Sequence, residues 1–501
     1  MKLRLAIWSL ALFAACMVMN TRHHQFPYFY HPDEPGKVEQ LMEGEWNLHH
    51  PLLLLQSAKA FAAATGVAKA GQPLVEAGRV VSAIFISAAV VALSLLAYAW
   101  RGWGAAFTAG AVLASHHQLY ELAHYFKEDS ALLFGVSVAF LAAWQYAARA
   151  TLPRAAFLGA ACALAISGKY LGVFTLAVAI PVLWRTPGDR RRATGVFACV
   201  LVLVLVLVNL PAFTHFGTFT QSFARETKLV VEGQAGMTRR VPHTQYWNVF
   251  LDNTTPVMWL LIPVFLAARW RHRSALTLVE ILVSAFPFAF ALALSFSPKS
   301  NDRYFLPATA LFSVLAVIGA GDLGDFLPPR WPRRCICIAA GIVLIVGQSF
   351  GWTASRPGWL GYDRAFQRDD TADLIAWLNT AVPRDAIIAK DNRIALPDPK
   401  RKKDAARLGV IPQKIRAAKF AADLGTLDEL QAQGVTHVIV SEMDYGKFFL
   451  RSLHPQESAQ ADFERRRDFY DRLFHEGELL WERDKGTVLY LHPGIRVYRL
   501  R

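Results

Sequence analysis

Long apolar segments follow one another from the N-terminus to about residue 354, and they constrain the fold more than any other feature. A helix needs about 20 apolar residues to cross the hydrocarbon core of a membrane. Within lipid, only helices and closed barrels satisfy every backbone polar group. The sequence therefore predicts an α-helical polytopic membrane protein with about 11 transmembrane helices. The segments lie at 5–19, 77–99, 104–120, 129–148, 155–168, 170–184, 194–212, 255–268, 275–297, 304–320 and 335–354.

The composition supports this class and excludes another. Apolar residues make up 54% of the chain and charged residues 18%, whereas soluble domains are about one-quarter charged. The net charge of +14 would suit a nucleic-acid partner, but many basic residues fall in the short gaps between apolar segments. Because the sequence has no Arg-rich helix and no zinc-finger spacing, we expect no nucleic-acid binding. The five cysteines lie in apolar segments and are predicted to be buried thiols.

Arginine clusters occupy alternate gaps between the segments, at 149–154, 185–192, 269–273 and 330–334. Because cytoplasmic loops are enriched in Lys and Arg, this pattern predicts a cytoplasmic N-terminus. Counting the short segments 155–168 and 170–184 as two spans keeps every cluster on the cytoplasmic side. We expect a multi-pass protein of the plasma (inner) membrane, whose active site and C-terminal domain face the periplasm or exterior.

The chain is predicted to form two domains. Residues 1–354 form the transmembrane domain, and its first external loop, 20–75, carries interfacial helices. Residues 355–501 have no spanning segment and a higher charge density, which predicts a small C-terminal extracytoplasmic α/β domain. The expected elements are a helix at 370–381, strands at 386–389 and 435–440, and a hairpin that pairs 487–491 with 496–500.

Two adjacent carboxylates, Asp33 and Glu34, lie in the first external loop within His31-Pro32-Asp33-Glu34-Pro35. A carboxylate near a membrane is costly and therefore suggests a function. We predict that Asp33 is a general base that deprotonates a hydroxyl, and that Glu34 orients it or binds a sugar. The alternative is that Asp33 only caps a helix, since Pro35 follows at a favourable position.

Two further polar motifs are expected at the same depth. Lys127-Glu128-Asp129 precedes the fourth span, and Lys127 would bind a phosphate unless it only pairs with Glu128. Lys169-Tyr170 lies between the two short segments. The Lys169 side chain either reaches out to the lipid headgroups or binds an anionic lipid phosphate.

The last polar motif, residues 297–304, includes Lys299, Arg303 and Tyr304. Its cations suit a phosphate or pyrophosphate group, and the alternative is a tight turn with interfacial anchors. Many histidines also lie near the predicted outer face, which leaves a divalent metal open as an alternative. Because no pair has the spacing of a known metal signature, we predict no metal ligands and no cofactor.

Together these motifs resemble the GT-C superfamily of polytopic glycosyltransferases. The resemblance is to the branch that contains dolichyl-phosphate-mannose protein mannosyltransferases and aminoarabinose transferases of lipid A. The Trp-Trp-Asp signature of the oligosaccharyltransferase branch is absent. Four matches carry the resemblance: Asp33-Glu34, Lys127-Glu128-Asp129, Gly168-Lys169-Tyr170, and Asp302-Arg303-Tyr304 with Pro307.

The resemblance implies a GT-C-like membrane domain that moves a sugar from a polyprenyl-phosphate donor to an acceptor hydroxyl outside the cytoplasm, usually with inversion. Asp33 matches the catalytic aspartate of the family. The predicted topology also favours a lipid-linked donor, because nucleotide sugars are cytoplasmic. The expected donor phosphate- and sugar-binding residues are Lys127, Glu128, Asp129, Lys169, Tyr170, Lys299, Arg303 and Tyr304.

The expected partners are this donor, membrane lipid, and an acceptor that the sequence leaves open among a glycolipid, a polysaccharide and a protein. The alternative function is a multispanning transporter or flippase for a lipid or sugar. Against it, the charged motifs cluster at one predicted face instead of mid-membrane, and the two halves of the chain do not repeat.

Overall fold

The computed structural model describes residues 2–232, 250–297, 301–328, 330–353, 356–397, 411–450, 455 and 457–500. The chain divides into two compact units. Within the described ranges, the membrane unit comprises residues of 2–24, 33–231 and 250–360, and the C-terminal unit comprises residues of 25–32 and 361–500. A piece of the predicted first external loop, Gln25–Pro32, therefore belongs to the C-terminal unit.

The membrane unit is helical, and a helix occupies each of the eleven predicted apolar segments, which confirms the α-helical polytopic class. Within the described ranges, seven helices have the length and hydropathy to cross a membrane, and three apolar helices are shorter. The number of crossings therefore stays a prediction. In chain order the helices are α1 (Lys2–Asn20), α2 (Glu34–Glu43), α3 (Leu53–Thr65), α4 (Gly71–Arg101), α5 (Trp103–Ala114), α6 (His117–Ala123), α7 (Glu128–Ala148), α8 (Leu152–Gly168), a 3-10 turn (Tyr170–Thr175) that continues into α9 (Leu176–Arg185), α10 (Arg190–Val208), α11 (Leu210–Thr214), α12 (Phe216–Glu232), α13 (Pro256–Arg271), α14 (Leu278–Ser295), α15 (Leu306–Asp322) and α16 (Arg333–Phe350).

Small residues let α7 and α8 pack with their backbones in contact. A Cβ atom on Gly135 of α7 would lie 2.3 Å from the Ala165 Cα atom of α8, and one on Gly168 of α8 would lie 2.6 Å from the Ala131 carbonyl carbon of α7. Close approach of this kind is how membrane helices associate without a hydrophobic driving force. The contact fixes the start of α7 against the end of α8, where two of the predicted polar motifs lie.

One end of the helical bundle is held by a buried carboxylate. Asp322 at the end of α15 is 0% exposed and lies 2.9 Å from Arg101 of α4 and 2.8 Å from Arg269 of α13. Arg79, near the other end of α4, is about 33 Å away along the helix at 1.5 Å per residue. The site described below is therefore at the opposite end of α4 from this cluster.

A short hairpin of β1 (Gly351–Thr353) and β2 (Arg356–Pro357) belongs to the membrane unit. The C-terminal unit contains a five-stranded sheet of β3 (Ile387–Asp391), β4 (Lys414–Ala418), β5 (Val435–Ser441), β6 (Glu478–Lys485) and β7 (Pro493–Arg499), in the order β4-β3-β5-β7-β6. Strands β3, β4 and β5 are parallel, and β7 is antiparallel to both β5 and β6. The predicted helix and both predicted buried strands are present. The helices that follow the β1–β2 hairpin are α17 (Trp359–Ala365), α18 (Asp370–Ala381), α19 (Leu427–Ala432), α20 (Glu442–Tyr445) and α21 (Gln460–Glu476).

The predicted terminal hairpin is wrong in its first strand. β7 pairs with β6, and residues 487–491 form the turn between them. Val488 and Leu491 are nevertheless buried, and the Val488 carbonyl accepts the Leu491 N–H at 3.0 Å. A turn that inserts apolar side chains into the core has the same composition as a short strand, so the apolar pattern indicated the wrong element.

The Gln25–Pro32 segment is fixed within the C-terminal unit by polar and aromatic contacts. The Tyr30 hydroxyl donates to the Asp369 carboxylate, with oxygen–oxygen distances of 3.0 and 2.8 Å, and Asp369 also caps α18. The ring centroids of His31 and Tyr490 are 4.3 Å apart. His31 is buried at this contact.

Candidate active site

Asp33 is the last residue before α2, and Pro35 stands in the first turn of that helix. The Asp33 carboxylate makes no capping hydrogen bond, so the capping alternative is wrong. Its Oδ2 atom instead forms an ion pair with the Lys127 amine, and Arg303 Nη2 lies 3.8 Å from the same oxygen. The Asp33 side chain is 43% exposed, whereas that of Lys127 is 3% exposed. A buried cation thus fixes an accessible carboxylate.

Glu34 is fully buried in an ion pair with Arg79 of α4. Arg79 donates from Nε and Nη2 to the two carboxylate oxygens, at 2.9 and 2.5 Å, and from Nη1 to the His24 carbonyl at 2.6 Å. The Oε1 atom of Glu34 also accepts the Phe126 N–H at 2.9 Å. Glu34 directly follows Asp33 in the chain, and Phe126 directly precedes Lys127, the partner of Asp33. One buried carboxylate therefore fixes both chain segments that carry the pair.

The segment that carries Lys127 is also held by packing. Phe126 is 0% exposed, and its ring lies so close to α4 that a Cβ atom on Gly78 would be 2.5 Å from it. The Lys127 N–H donates to Ser82 Oγ, one turn further along α4, at 3.4 Å. Gly78, Arg79 and Ser82 thus form one stretch of α4 that positions the start of α7.

The two carboxylates that begin α7 have separate cations. Glu128 lies 3.0 Å from the Lys37 amine, and Asp129 lies 2.7 Å from the Lys169 amine. Acidic side chains in the first turn of a helix are also favoured by the helix dipole. The sequence alternative that paired Lys127 with Glu128 is therefore wrong, since each residue has another partner.

Lys169 lies inside the protein and does not extend towards lipid headgroups. The Lys169 side chain is 10% exposed. Its amine pairs with Asp129 and lies 4.3 Å from the centroid of the Tyr304 ring. Arg303 Nε is 3.6 Å from Asp129 Oδ2, so Arg303 connects Asp129 with Asp33. The predicted motifs from four distant parts of the chain therefore meet in one network.

Tyr170 lies beside an apolar cavity of about 160 Å³. The Tyr170 hydroxyl donates to the Leu48 carbonyl at 3.5 Å, and its ring meets Phe223 edge-on with centroids 5.2 Å apart. His50 also lines the cavity. Because Tyr170 directly follows Lys169, the cavity adjoins the charged network. The predicted residue Lys299 lies outside the described residues.

The histidines near the site contact one another and the backbone. His24 and His124 meet edge-on with ring centroids 4.7 Å apart, and the two ring nitrogens of His124 lie 2.7 and 2.6 Å from the Tyr120 and Arg22 carbonyl oxygens. In the part of the chain that the structure describes, no group of three or more His, Cys, Asp or Glu side chains is arranged to hold a metal ion.

Sequence reasoning missed Arg79 and Lys37, which neutralise Glu34 and Glu128. The signal for Arg79 was present, since it is a single charged residue inside the predicted span 77–99. A charge in such a position needs a partner of opposite sign at the same depth. Lys37 gave no comparable signal because it lies in a polar loop.

The resulting network can perform two tasks. An accessible carboxylate, held by a buried amine and a nearby guanidinium, can accept a proton from a bound hydroxyl. Cations at fixed positions can bind a phosphate group, Arg303 through its planar guanidinium and Lys127 and Lys169 as point charges. Both tasks would take place beside an apolar cavity.

Three comparisons relate the chain to known proteins. A family model described as dolichyl-phosphate-mannose-protein mannosyltransferase matches residues 64–225, a range that includes Arg79, Lys127 and Lys169. No curated protein sequence matches the chain. Among solved structures, the archaeal oligosaccharyltransferase AglB from Archaeoglobus fulgidus, in complex with an inhibitory peptide and a dolichol-phosphate, is similar with a TM-score of 0.54. The two share 10% sequence identity over 96% of this chain and 80% of that chain, so this similarity concerns the fold.

Two further structures are more distant. ArnT from Cupriavidus metallidurans, bound to undecaprenyl phosphate, has a TM-score of 0.48 and 14% identity over 99% of this chain and 97% of that chain. The S. cerevisiae protein O-mannosyltransferase Pmt1-Pmt2 complex, bound to the sugar donor, has a TM-score of 0.36 and 18% identity over 48% of this chain and 38% of that chain.

Proposed function

We propose that the chain is a membrane glycosyltransferase of the GT-C superfamily, which transfers a sugar from a polyprenyl-phosphate donor to an acceptor hydroxyl, with Asp33 as the general base. The observation that carries the proposal is the exposure and fixed position of the Asp33 carboxylate. It is 43% exposed, and both Lys127 and Arg303 approach the same carboxylate oxygen. A carboxylate in a fixed orientation, with room for a substrate, is what proton abstraction from a hydroxyl needs.

The proposed reaction is a direct displacement. Asp33 takes the proton of the acceptor hydroxyl as its oxygen forms a bond to the anomeric carbon of the donor sugar. The bond between that carbon and the phosphate oxygen breaks, and the electron pair leaves with polyprenyl phosphate. Lys127 and Arg303 would stabilise the charge that develops on this leaving group, because preorganised cations act strongly where water is excluded. Asp33 then releases its proton to solvent.

The donor side of the site is proposed to follow the charged network inward. Lys169 and Tyr304 would bind the phosphate and the sugar, with Lys299 as a further cation suggested by the sequence alone. Glu128 and Asp129 are proposed to position Lys37 and Lys169 and to accept hydrogen bonds from sugar hydroxyls. Glu34 is proposed to be a positioning residue, since Arg79 and the Phe126 N–H already occupy its carboxylate.

The cavity beside Tyr170 supports a lipid-linked donor. Its lining is apolar, and it includes Ile166, Leu205 and Phe213. A polyprenyl phosphate has an apolar tail joined to a charged head, so it would place its tail in the cavity and its phosphate on the adjoining cations. The archaeal neighbour AglB, which has the same fold, is described in complex with a dolichol-phosphate. We propose that the site faces the periplasm or exterior, as the arginine distribution predicts.

A transfer assay tests the function. Full-length protein in detergent would be incubated with undecaprenyl-phosphate mannose, glucose or aminoarabinose and with a membrane glycolipid and polysaccharide extract. We expect one donor to release undecaprenyl phosphate as its sugar moves to an acceptor. Movement of intact donor between the leaflets of proteoliposomes, without release of undecaprenyl phosphate from any donor, would instead support a flippase.

A further inference from the structure

The topology of the C-terminal sheet marks one edge as a candidate binding site. Strands β3 and β5 are parallel neighbours, and the chain continues from β3 to β4 on one side and from β5 to β6 and β7 on the other. In open α/β sheets, ligands bind outside the carboxyl ends of strands where the connections diverge in this way. Here those ends are Asp391 of β3 and Ser441 of β5.

Asp391, the last residue of β3, accepts hydrogen bonds from three neighbouring segments of the described chain. Its Oδ1 atom accepts the Ala421 N–H at 2.7 Å and the Tyr470 hydroxyl at 2.8 Å, and its Oδ2 atom accepts the Ser441 N–H at 2.8 Å. These donors come from three segments that surround the end of β3. Burial of Asp391, with Asp444 nearby, raises its pKa to about 7. The hydrogen bonds of Asp391 therefore hold the segments around the end of β3 in fixed positions.

Cations converge at the same edge. The centroid of the buried Phe420 ring, just after β4, lies 4.2 Å from the Lys447 amine, 4.9 Å from the Arg466 guanidinium and 5.5 Å from the Lys419 amine. Arg466 is paired with Asp423 at 2.7 Å. Among the described residues, Lys419 and Lys447 have no carboxylate within ion-pair distance. Asp444 and Asp391 favour the charged form of Lys447 from beyond ion-pair distance. Two ammonium groups near one ring that form no ion pair with a described carboxylate are suited to bind an anion.

A buried carboxylate at this edge has an unused oxygen. Asp444 is 3% exposed, and its Oδ1 atom accepts a hydrogen bond from Arg393 Nε at 3.1 Å. Its Oδ2 atom is buried and accepts no hydrogen bond from the residues that the structure describes. An acceptor left without a donor in this way costs free energy, and a ligand hydroxyl would supply the missing bond.

We propose that the carboxyl edge of β3 and β5 is a second binding site, formed wholly within the C-terminal unit, that takes an anionic sugar. Lys419 and Lys447 bind the phosphate or carboxylate group of the sugar. Asp444 Oδ2 accepts a hydrogen bond from one of its hydroxyl groups. The requirement for both an anion and a hydroxyl distinguishes this ligand class from neutral sugars and from simple anions.

Binding of glucose 6-phosphate, glucose and inorganic phosphate to the full-length protein tests this inference. The measurement would be made in the Asp33→Asn background, so that turnover at the proposed catalytic site cannot affect it. We expect glucose 6-phosphate to bind more tightly than either of the other probes. Equal affinities for glucose 6-phosphate and inorganic phosphate would overturn the role of the hydroxyl contact.

Three variants assign the contacts. Lys419→Met, at an exposed position, should weaken glucose 6-phosphate binding about tenfold, the loss expected for one charge-assisted hydrogen bond. Asp444→Asn should weaken binding of glucose 6-phosphate and leave that of phosphate unchanged. Lys414→Met, at the opposite end of β4, is the matched control and should have no effect. If Lys419→Met binds glucose 6-phosphate as tightly as Lys414→Met does, the site is not where we place it.

Discussion

Replacing Arg79 by methionine tests how the two segments of the candidate active site are held together. The Arg79 guanidinium is 0% exposed and donates two hydrogen bonds to Glu34 and one to the His24 carbonyl. Without it, the buried Glu34 carboxylate loses its ion-pair partner and, among the described residues, retains the Phe126 N–H as a donor. Removing one partner of a buried ion pair costs about 3–5 kcal/mol, and we expect Arg79→Met to lower the free energy of unfolding by that amount.

A double-mutant cycle separates the lost pair from the lost volume. In Glu34→Gln/Arg79→Met both charges are absent, so no uncompensated carboxylate stays buried. We expect the double variant to be more stable than the sum of the single losses predicts, by about 1–3 kcal/mol. The same coupling should appear in the transfer rate if Glu34 positions the Asp33–Lys127 pair.

The assay is unfolding of the full-length protein by SDS titration in mixed micelles, followed by tryptophan fluorescence. Arg101→Met is the matched control, because Arg101 is 33% exposed and its partner Asp322 keeps a second cation, Arg269. We expect this control to cost about 1 kcal/mol, because Arg101 is partly exposed and the buried Asp322 carboxylate stays paired with Arg269. The reasoning is refuted if Arg79→Met is no more destabilising than Arg101→Met, or if the cycle is additive.

Two further predictions concern packing and pH. Gly78→Ala should lower the free energy of unfolding by about 1–3 kcal/mol, because its Cβ atom would lie 2.5 Å from the Phe126 ring. Gly195→Ala is the control and should leave the free energy of unfolding unchanged, since no atom lies within 4 Å of its Cβ position. Unfolding measurements on the two variants test this difference. In the C-terminal unit, burial opposes the charge on His492, but the Asp370 carboxylate 2.9 Å away raises its pKa above 6.5. The contribution of the charged His492 to stability is therefore fully present below its ordinary pKa and is lost as the pH rises through the higher folded-state pKa. The stability difference between wild type and His492→Gln should then be larger at about pH 6 than at about pH 9. A difference that grows with pH would contradict this sign.

The helical architecture was predictable because membrane spans depend on local composition. Each predicted apolar segment contains a helix, and even the break between the two short segments falls at Lys169, between α8 and the following 3-10 turn. Small residues at the α7–α8 contact, such as Gly135, carry little information in a single sequence, so the packing partners could not be read from it.

The pairing of charges was the part of the site that could not be predicted. Glu34 and Arg79 are 45 positions apart, and Lys127 and Asp33 are 94 apart, so their contact depends on how α2, α4 and α7 pack. The sequence showed that these groups are costly near a membrane. It could not show that Glu34 is used to hold the backbone while Asp33 stays accessible.

The most direct test of the proposed mechanism is the single-turnover rate of sugar transfer by the Asp33→Asn variant, with donor binding measured in the same preparation. Asparagine has nearly the same shape but cannot accept the proton, so we predict a rate about 10²–10⁴-fold below that of wild type. We expect bound donor to be retained, and Asp189→Asn, at an exposed aspartate that caps α10, to transfer at the wild-type rate. Transfer by Asp33→Asn at a rate close to that of this control would contradict the assignment of Asp33 as the base.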